Sequence, residues 1–441
     1  MAKLWSLSEL KAINWAKTVF QIPPVGNTSS SPPRPFVPES LGSVREKECT
    51  QPRSCGDLAT LGHKGLDSTE SELHPRIPMR ISSSLIGPVG YWLVSLVLAS
   101  QVMPSGSLAQ AESAFPDQSW TWRTPAEVDL DLEKLEALAE QVGGSGVIVR
   151  DGFMVYEWGS GATKAFDWAS ASKPVLSTLL LFADQQRLTS LDTKMGWLMF
   201  GGSPKDSGIT FYHLANNISG YSRGEGPGQA WAYNDLAANL FGYALAHRVF
   251  RASPSDVLDA MLGFLDFEDP FVVSDQQYGR IKSMSLRDFA RLGLYWLERG
   301  QWNGVERMAA PYFEILTSPI PKGIPRTSLD GPESWDFGTF GGTDNQFAVG
   351  PGHYAFGFWV NSNGLWEEAP ATLFQALGHF GRESCLIIPG SSLIAVGVGQ
   401  WGAPGSDESS AAIQRLLDAD LRGFADGFES GKTLRWSATV H

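Results

Sequence analysis

A serine and a lysine near the middle of the sequence have the types and spacing needed for acyl transfer. They stand in Ser170-Ala171-Ser172-Lys173, and Pro174 follows them. Because proline is tolerated only in the first turn of a helix, this order predicts a helix N-terminus here. Residues three positions apart share one face of a helix. The pattern therefore predicts a hydroxyl beside an amine that can accept its proton, in the positive potential of a helix N-terminus.

An S-x-x-K pair alone is a weak signal, since Ser8-Glu9-Leu10-Lys11 has the same pattern. Two further motifs follow the first in a fixed order. Tyr233-Asn234-Asp235 stands before an apolar helical segment, and His379-Phe380-Gly381 leads into a β-rich segment. A phenol, a carboxylate and an imidazole downstream of the serine make acid–base chemistry possible.

Taken in order, these motifs resemble those of the serine β-lactamase-related family. That family includes class C β-lactamases, D-alanyl-D-alanine carboxypeptidases, some esterases and 6-aminohexanoate-dimer hydrolases. It is marked by S-x-x-K on the first helix of a helical domain, a Y-x-N turn, and K-T-G or H-x-G on a sheet strand. The resemblance covers roughly residues 120–430. It also includes the stretches 209–214, 219–221, 284–293 and 356–361.

The resemblance implies a role for each matching residue. Ser170 would be the acylated nucleophile, Lys173 would take or relay its proton, and Tyr233 would be general base and then acid. The backbone N–H groups of Ser170 and Arg382 would form the oxyanion hole. His379 would help to bind substrate and would tune Tyr233. Asp235, His379 and Gly381 would line the substrate site.

The expected proton chemistry needs altered pKa values. An unperturbed lysine or tyrosine titrates near pH 10, so neither is a good base at neutral pH. We expect the cluster of a cation, a phenol and a helix terminus to depress the pKa values of Lys173 and Tyr233.

The second motif departs from the family because Asp235 stands where asparagine is usual. A carboxylate can only accept hydrogen bonds, and its charge favours a protonated Lys173. Asn234 is adjacent but should point elsewhere on this turn. Since His379 also replaces the lysine of many β-lactamases, recognition of a substrate carboxylate is weakened. The sequence thus favours an esterase or amidase over a true β-lactamase. The alternative is a catalytically weak or inactive binding protein of the same fold.

Hydrophobic periodicity predicts an α/β (α+β) fold, which the resemblance specifies as β-lactamase/transpeptidase-like: an antiparallel sheet flanked by helices, with an inserted all-helical domain. Asp151-Gly152 between two β-rich runs predicts a hairpin. We expect the sheet part at about 120–168 and 350–430, and the helical part at about 169–349. Predicted helices are 129–142, 172–186, 211–217, 235–248, 254–264, 285–299 and 409–424. Predicted later strands are 355–361, 384–388 and 393–399.

The first 111 residues differ in character from the rest. Residues 1–78 are rich in Pro and Ser and do not resemble a domain, so we interpret them as a non-structured or mis-annotated extension. Residues 79–111 combine a basic start, a short apolar run and Ala109-Gln110-Ala111, which is typical of a signal peptide. The alternative is an internal hydrophobic helix or a membrane anchor. We expect a secreted or periplasmic domain over 112–430, in contact with membrane only if the signal segment stays uncleaved.

Composition excludes several classes of protein. A formal net charge of -13 argues against binding to nucleic acid, whose phosphates need a basic face. Three cysteines exclude a disulfide scaffold and a multi-cysteine zinc site. The sequence has no G-x-S-x-G, P-loop, Rossmann fingerprint or H-E-x-x-H. We therefore expect no cofactor and no metal, and a small ester or amide as the substrate.

Overall fold

The structure is a computed structural model that describes residues 114–195, 204–277, 279–327, 334–335, 339–340 and 349–422. All of these lie in one compact unit of the chain. The expected N-terminal extension, the expected signal segment and the second S-x-x-K match at Ser8–Lys11 lie outside the described residues.

Helices and strands alternate along the described part of the chain. In chain order, the helices are α1 Leu132–Val142, α2 Lys173–Gln185, α3 Phe211–Ala215, α4 Asp235–Tyr243, α5 Pro254–Leu262, α6 Leu286–Leu297, α7 Ala310–Leu316 and α8 Asp407–Asp418. The strands are β1 Ser145–Arg150, β2 Phe153–Trp158, β3 Ala165–Phe166, β4 Val272–Val273, β5 Ile281–Ser285, β6 Gln301–Trp302, β7 Val305–Glu306, β8 Ser334–Trp335, β9 Thr339–Phe340, β10 Tyr354–Ala355, β11 Phe358–Val360, β12 Phe374–Gly378, β13 Glu383–Ile388 and β14 Leu393–Val398.

One antiparallel sheet joins the early and the late strands, in the order β10-β11-β12-β13-β14-β1-β2. The β1–β2 hairpin was predicted from Asp151-Gly152, and both residues have positive φ, 51° and 79°. A two-residue turn of this kind matches the twist of the flanking strands, which explains why the sequence signal was reliable. The pairing of β1 with β14 closes the sheet across more than 240 residues of chain.

Both faces of the sheet are buried. Val147 and Val149 of β1 pack with α2 and α6 on one face, in the larger apolar cluster. Ile148, between them, packs with α1 and α8 on the other. Successive strand residues point to opposite faces, so alternate residues serve separate cores. The result is a three-layer arrangement that holds the sheet rigid between helices.

Helix α6 shows that residues 169–349 are not a separate all-helical domain. It packs across β13, β14 and β1. Gly293 makes this close approach possible, since a Cβ there would lie 2.9 Å from the Cys385 sulfur. The same range also contains strands β4 and β5, which pair in a short sheet with β3, and the β6–β7 hairpin. The fold class is as predicted, but the expectation of an all-helical insertion is wrong in this respect.

Three element predictions need correction. Residues 355–361 are not one strand, because Phe356 and Gly357 take φ values of 48° and 97° and turn the chain into the β10–β11 hairpin. Strand β12 was missed, although its five residues are all buried. The predicted helix 235–248 is α-helical only to Tyr243, and Ala244–Phe250 continue as a π-helix.

Among the described residues, no helix has the length and apolarity needed to cross a bilayer.

Candidate active site

Ser170 lies in a tight turn that leads directly into α2. A 3₁₀ turn spans Ala169–Ser172, and α2 begins at Lys173 with Pro174 in its first turn. Ala169 has a φ of 44°, which is unfavourable for a residue with a Cβ. The Asp167 carboxylate accepts the Ala169 N–H at 3.0 Å and holds this turn in place. The serine therefore stands on a strained turn at a helix start, where its side chain is partly exposed.

Ser172, the other serine of the motif, has a structural role. It is buried, and its hydroxyl oxygen accepts the Ile281 N–H at 2.9 Å. That bond ties the turn to β5, so the Ser172 hydroxyl is not directed toward the site.

Lys173 joins the first two motifs. Its Nζ atom donates to Ser170 Oγ at 2.7 Å, to the Tyr233 hydroxyl at 3.0 Å and to Asp235 Oδ1 at 2.8 Å. An ammonium group has three donors and no acceptor. The three acceptors match the three donors, so the geometry fits a protonated Lys173.

The charge balance around Lys173 points the same way. Burial by itself lowers the pKa of Lys173, but the negative charge of Asp235 and the hydroxyl of Tyr233 outweigh burial and raise that pKa above its ordinary value. The expectation that clustering depresses the pKa of Lys173 is therefore wrong, because Asp235 places a negative charge beside the amine. Lys173 holds its proton and is a poor acceptor for the proton of Ser170.

Tyr233 and Asp235 are positioned by the start of α4. Asn234 caps this helix: its side chain accepts the Ala237 N–H and donates to the Tyr221 carbonyl oxygen. It points away from Lys173, as predicted. Asp235 is the first residue of α4, where the helix N-terminus favours a negative charge. Tyr233 is 4% exposed and packs edge-on against Tyr354. Its ring can move little, so its hydroxyl stays beside Lys173.

The third motif is a turn between β12 and β13. His379, Phe380 and Gly381 have φ values of 34°, 59° and 101°. The N–H groups of Gly381 and Arg382 both donate to the Gly378 carbonyl oxygen at 2.9 Å. We call residues 378–382 the Gly378–Arg382 turn. The expected oxyanion donor, the Arg382 N–H, is thus occupied by the turn itself, which corrects the sequence expectation.

His379 makes contacts that differ from the expected ones. Its Nδ1 atom lies 3.1 Å from Glu383 Oε1, and its Nε2 atom lies 3.4 Å from Arg280 Nη2. Arginine can only donate, so Nε2 accepts and the ring proton lies on Nδ1, facing Glu383. Both ring nitrogens are therefore directed at groups other than Tyr233. The expected tuning of Tyr233 by His379 has no support in this geometry.

Arg280 and Asp167 connect the third motif to the turn that carries Ser170. Two nitrogens of Arg280 bind the two oxygens of Asp167 at 2.8 and 2.9 Å. Such bidentate pairs fix direction as well as distance. A continuous chain of contacts thus runs from Asp167 through Arg280 and His379 to Glu383. Sequence reasoning missed these residues; the only local signals were Asp167 three positions before Ser170 and Glu383 four after His379.

The backbone of the sheet edge, at Gly357 and Gly378, lies in close contact with the backbone at the start of α2. A Cβ at Gly357 would lie 2.7 Å from the Lys173 carbonyl carbon, and one at Gly378 would lie 2.8 Å from the Trp168 carbonyl oxygen. Only glycine permits these approaches. The described part of the chain contains no group of three or more His, Cys, Asp or Glu residues placed to hold a metal ion.

Comparisons with known proteins give a family match for part of the chain and a likeness of fold. Residues 133–276 match the family model described as Beta-lactamase. A 6-aminohexanoate-dimer hydrolase from Bacillus anthracis is 14% identical, with a TM-score of 0.52 over 70% of this chain and 89% of its own. The crystal structure of SurE is 15% identical, with a TM-score of 0.50 over 68% of this chain and 77% of its own.

A further solved structure, a β-lactamase/D-alanine carboxypeptidase from Pseudomonas syringae, is 14% identical, with a TM-score of 0.46 over 65% of this chain and 97% of its own. No curated protein sequence matches this chain. At these identities the hydrolase from Bacillus anthracis and SurE establish the fold, and the family model establishes the relation of residues 133–276.

Proposed function

Because the chain is related to the serine β-lactamase family by residues 133–276 and by its fold, we propose that it is a serine hydrolase acting on a small ester or amide. Proteins of this family are generally serine hydrolases. The observation that carries the proposal is the 2.7 Å hydrogen bond from Lys173 Nζ to Ser170 Oγ, within one cluster with Tyr233 and Asp235. The order of the motifs in the sequence does not by itself bring the side chains of Ser170, Lys173, Tyr233 and Asp235 into contact, whereas the fold does.

In the proposed reaction, Ser170 Oγ bonds to the substrate carbonyl carbon and its proton passes to the Lys173–Tyr233 pair. Lys173 already holds its proton, so the acceptor is the Tyr233 oxygen in its deprotonated form, with the ammonium 3.0 Å away to balance the charge. The same proton then moves to the leaving-group oxygen or nitrogen. Water repeats these steps to release the acid and restore Ser170.

The Ser170 N–H would stabilise the charge on the carbonyl oxygen. The Arg382 N–H would join it only by exchanging its bond to the Gly378 carbonyl oxygen for one to the substrate. This exchange favours esters, because they need less stabilisation of the tetrahedral intermediate than amides do.

An ester or simple amide fits the site better than a β-lactam. Asp235 already accepts from Lys173 and has no hydrogen to donate to the side-chain carbonyl of a penicillin. That carbonyl would face a negative charge in a partly buried site. Small esters carry no such group.

The test is labelling by a fluorophosphonate probe together with turnover of p-nitrophenyl acetate. Ser170→Ala should abolish labelling and lower turnover by at least about 10³-fold, as for other removed nucleophiles. Ser172→Ala is the matched control and should still be labelled. Labelling that persists in Ser170→Ala, or a labelled peptide modified at Ser172, would refute the assignment.

A second candidate function is ligand binding without turnover. The saturated hydrogen bonding of the Lys173 ammonium favours it, since a protonated lysine cannot take the serine proton. The same probe separates the two candidates: a folded wild type that is never labelled and hydrolyses no ester is a binding protein.

We also propose that the domain is secreted or periplasmic after cleavage behind Ala111. The motive is the basic, apolar and A-x-A order of residues 79–111. N-terminal sequencing of native material should begin near Glu112, and a mature protein that retains residues 1–78 would refute this.

A further inference from the structure

A cleft of about 630 Å³ opens beside the Gly378–Arg382 turn. Its walls come from the end of α1, the end of β14, the segment before α8, strand β3 and the turn itself. The side chains that matter here are Val142, Phe166, Phe380, Arg382, Val398 and Gln400. Four of these are apolar, and none belongs to the Ser170–Lys173–Tyr233–Asp235 cluster.

The cleft adjoins the nucleophile through two backbone connections. Gly378 starts the turn, and a Cβ there would lie 2.8 Å from the carbonyl oxygen of Trp168, two residues before Ser170. Phe166 stands four residues before Ser170 on the same chain segment. A substituent on the carbonyl carbon attacked by Ser170 could therefore extend past the turn into the cleft.

Phe380 shows two unfavourable features at once. Its φ of 59° is costly for a bulky side chain, and the residue is 59% exposed to solvent. The exposed aromatic ring gains little from burial in the free protein. A bulky residue that is both strained and largely exposed on the wall of a cleft can gain apolar contact when a ligand binds there.

Hydrogen bonds within the turn hold the backbone of Phe380 in place. Gly381 and Arg382 donate to the Gly378 carbonyl oxygen, and His379 is fixed by Glu383 on one side and Arg280 on the other. Phe380 lies between these anchors, so the position of its backbone is set before a ligand arrives. Such preorganisation lowers the ordering cost of binding.

The two charged side chains that line the cleft have opposite signs, so they favour a ligand group without a net charge. Arg382 supplies a cation and Glu408 a carboxylate, and both face the cleft. An uncharged apolar substituent would contact the rings of Phe166 and Phe380, with one cationic and one anionic side chain at the edge of the cleft.

We propose that this cleft is the subsite for an uncharged alkyl or aryl substituent of the substrate, with Phe380 and Phe166 as the residues that set chain-length preference. The inference rests on the proposed ester hydrolysis at Ser170 and adds the substrate class to it.

The experiment compares p-nitrophenyl acetate with p-nitrophenyl octanoate, and methyl acetate with octyl acetate, so that the acyl and alcohol sides are separated. In one of the two series the wild type should prefer the longer chain in kcat/KM by at least about tenfold. Phe380→Ala and Phe166→Ala should each reduce this ratio about tenfold or more. Gln400→Trp, which adds a bulky side chain at another residue lining the cleft, should do the same. Val272→Ala removes an exposed apolar side chain elsewhere and should leave the ratio unchanged.

Binding is measured as well, in the Ser170→Ala background. Saturation-transfer NMR should show contact with methyl octanoate but not methyl acetate, and Phe380→Ala should remove that contact. Equal kcat/KM for short and long chains in both series, or contact that survives Phe380→Ala and Gln400→Trp, would overturn the subsite. Failure of the proposed function looks different: no Ser170-dependent turnover of any ester, with octanoate contact still present.

Discussion

The amine nitrogen of Lys173 lies 2.8 Å from Asp235 Oδ1, so the lysine beside Ser170 is one half of an ion pair. The side chains are 15% and 30% exposed, so solvent reaches this pair only in part. The carboxylate holds the lysine in its protonated form and keeps it bonded to Ser170 and Tyr233. This relationship sets the expected substrate preference and the expected pH dependence.

We expect Asp235→Asn to raise the ratio of nitrocefin turnover to p-nitrophenyl acetate turnover about ten- to a hundredfold. A missing hydrogen-bond partner in a desolvated site costs about 1–3 kcal/mol, and each 1.36 kcal/mol is tenfold in rate. The amide can donate to the side-chain carbonyl of the β-lactam, whereas an ester has no such group. Steady-state kinetics on both substrates measure the ratio. Efficient nitrocefin hydrolysis by the wild type, or an unchanged ratio in the variant, would show that Asp235 does not face the substrate.

The same substitution should move the acid limb of the pH–rate profile to lower pH. The negative charge of Asp235 raises the pKa of Lys173, so removing that charge makes the Lys173–Tyr233 pair give up a proton more easily. Interacting groups titrate together, so the midpoint of the acid limb is an apparent pKa of the Lys173–Tyr233 pair and not of either residue alone. Measuring kcat/KM for p-nitrophenyl acetate from about pH 5 to 10 gives the shift. A limb that stays in place, or moves to higher pH, contradicts this charge assignment.

Gly357→Ala should destabilise the protein and also lower activity. The new Cβ would lie 2.7 Å from the Lys173 carbonyl carbon, at a φ of 97°. Overpacking costs about 1–3 kcal/mol and displaces the start of α2. Gly364→Ala is the matched control, because its φ is 74° and nothing lies within 4 Å of the added Cβ. Urea unfolding should show a larger loss of unfolding free energy for Gly357→Ala than for Gly364→Ala. Only Gly357→Ala should also lose more than about tenfold in kcat, because misplacing a catalytic group by ~1 Å can cost that much.

Arg280→Gln should lower kcat about tenfold with little change in KM. It removes the bidentate bond to Asp167 and the contact with His379, so the Ser170 turn and the third motif lose their shared anchor. We treat Arg280 as a positioning residue, since it acts through Asp167 and His379. Arg280→Lys should recover part of the activity, because a cation can still bind Asp167. Arg299→Gln, at an exposed ion pair, is the control. A rise in KM alone, with kcat unchanged, would argue for direct substrate contact instead.

The order of the three motifs predicted the family relation, the β-rich runs predicted the antiparallel sheet, and the S-x-x-K spacing predicted that Ser170 meets Lys173. The last two depend on local rules: Asp-Gly between β-rich runs for the sheet hairpin, and i, i+3 spacing at a helix start for Ser170 and Lys173. Asn234 points away from Lys173, as expected, and the structure supplies the reason: its side chain caps the helix that it begins.

Only the tertiary structure decided the protonation of Lys173, the contacts of His379 and the state of the Arg382 N–H. These depend on distances between segments far apart in sequence, such as 62 residues from Lys173 to Asp235 and 99 from Arg280 to His379. Motif spacing carries no such distances, and a pKa follows from the sum of nearby charges and burial. The sequence by itself therefore determined which groups are available for chemistry, and packing of the sheet edge against the start of α2 decided how each is bonded.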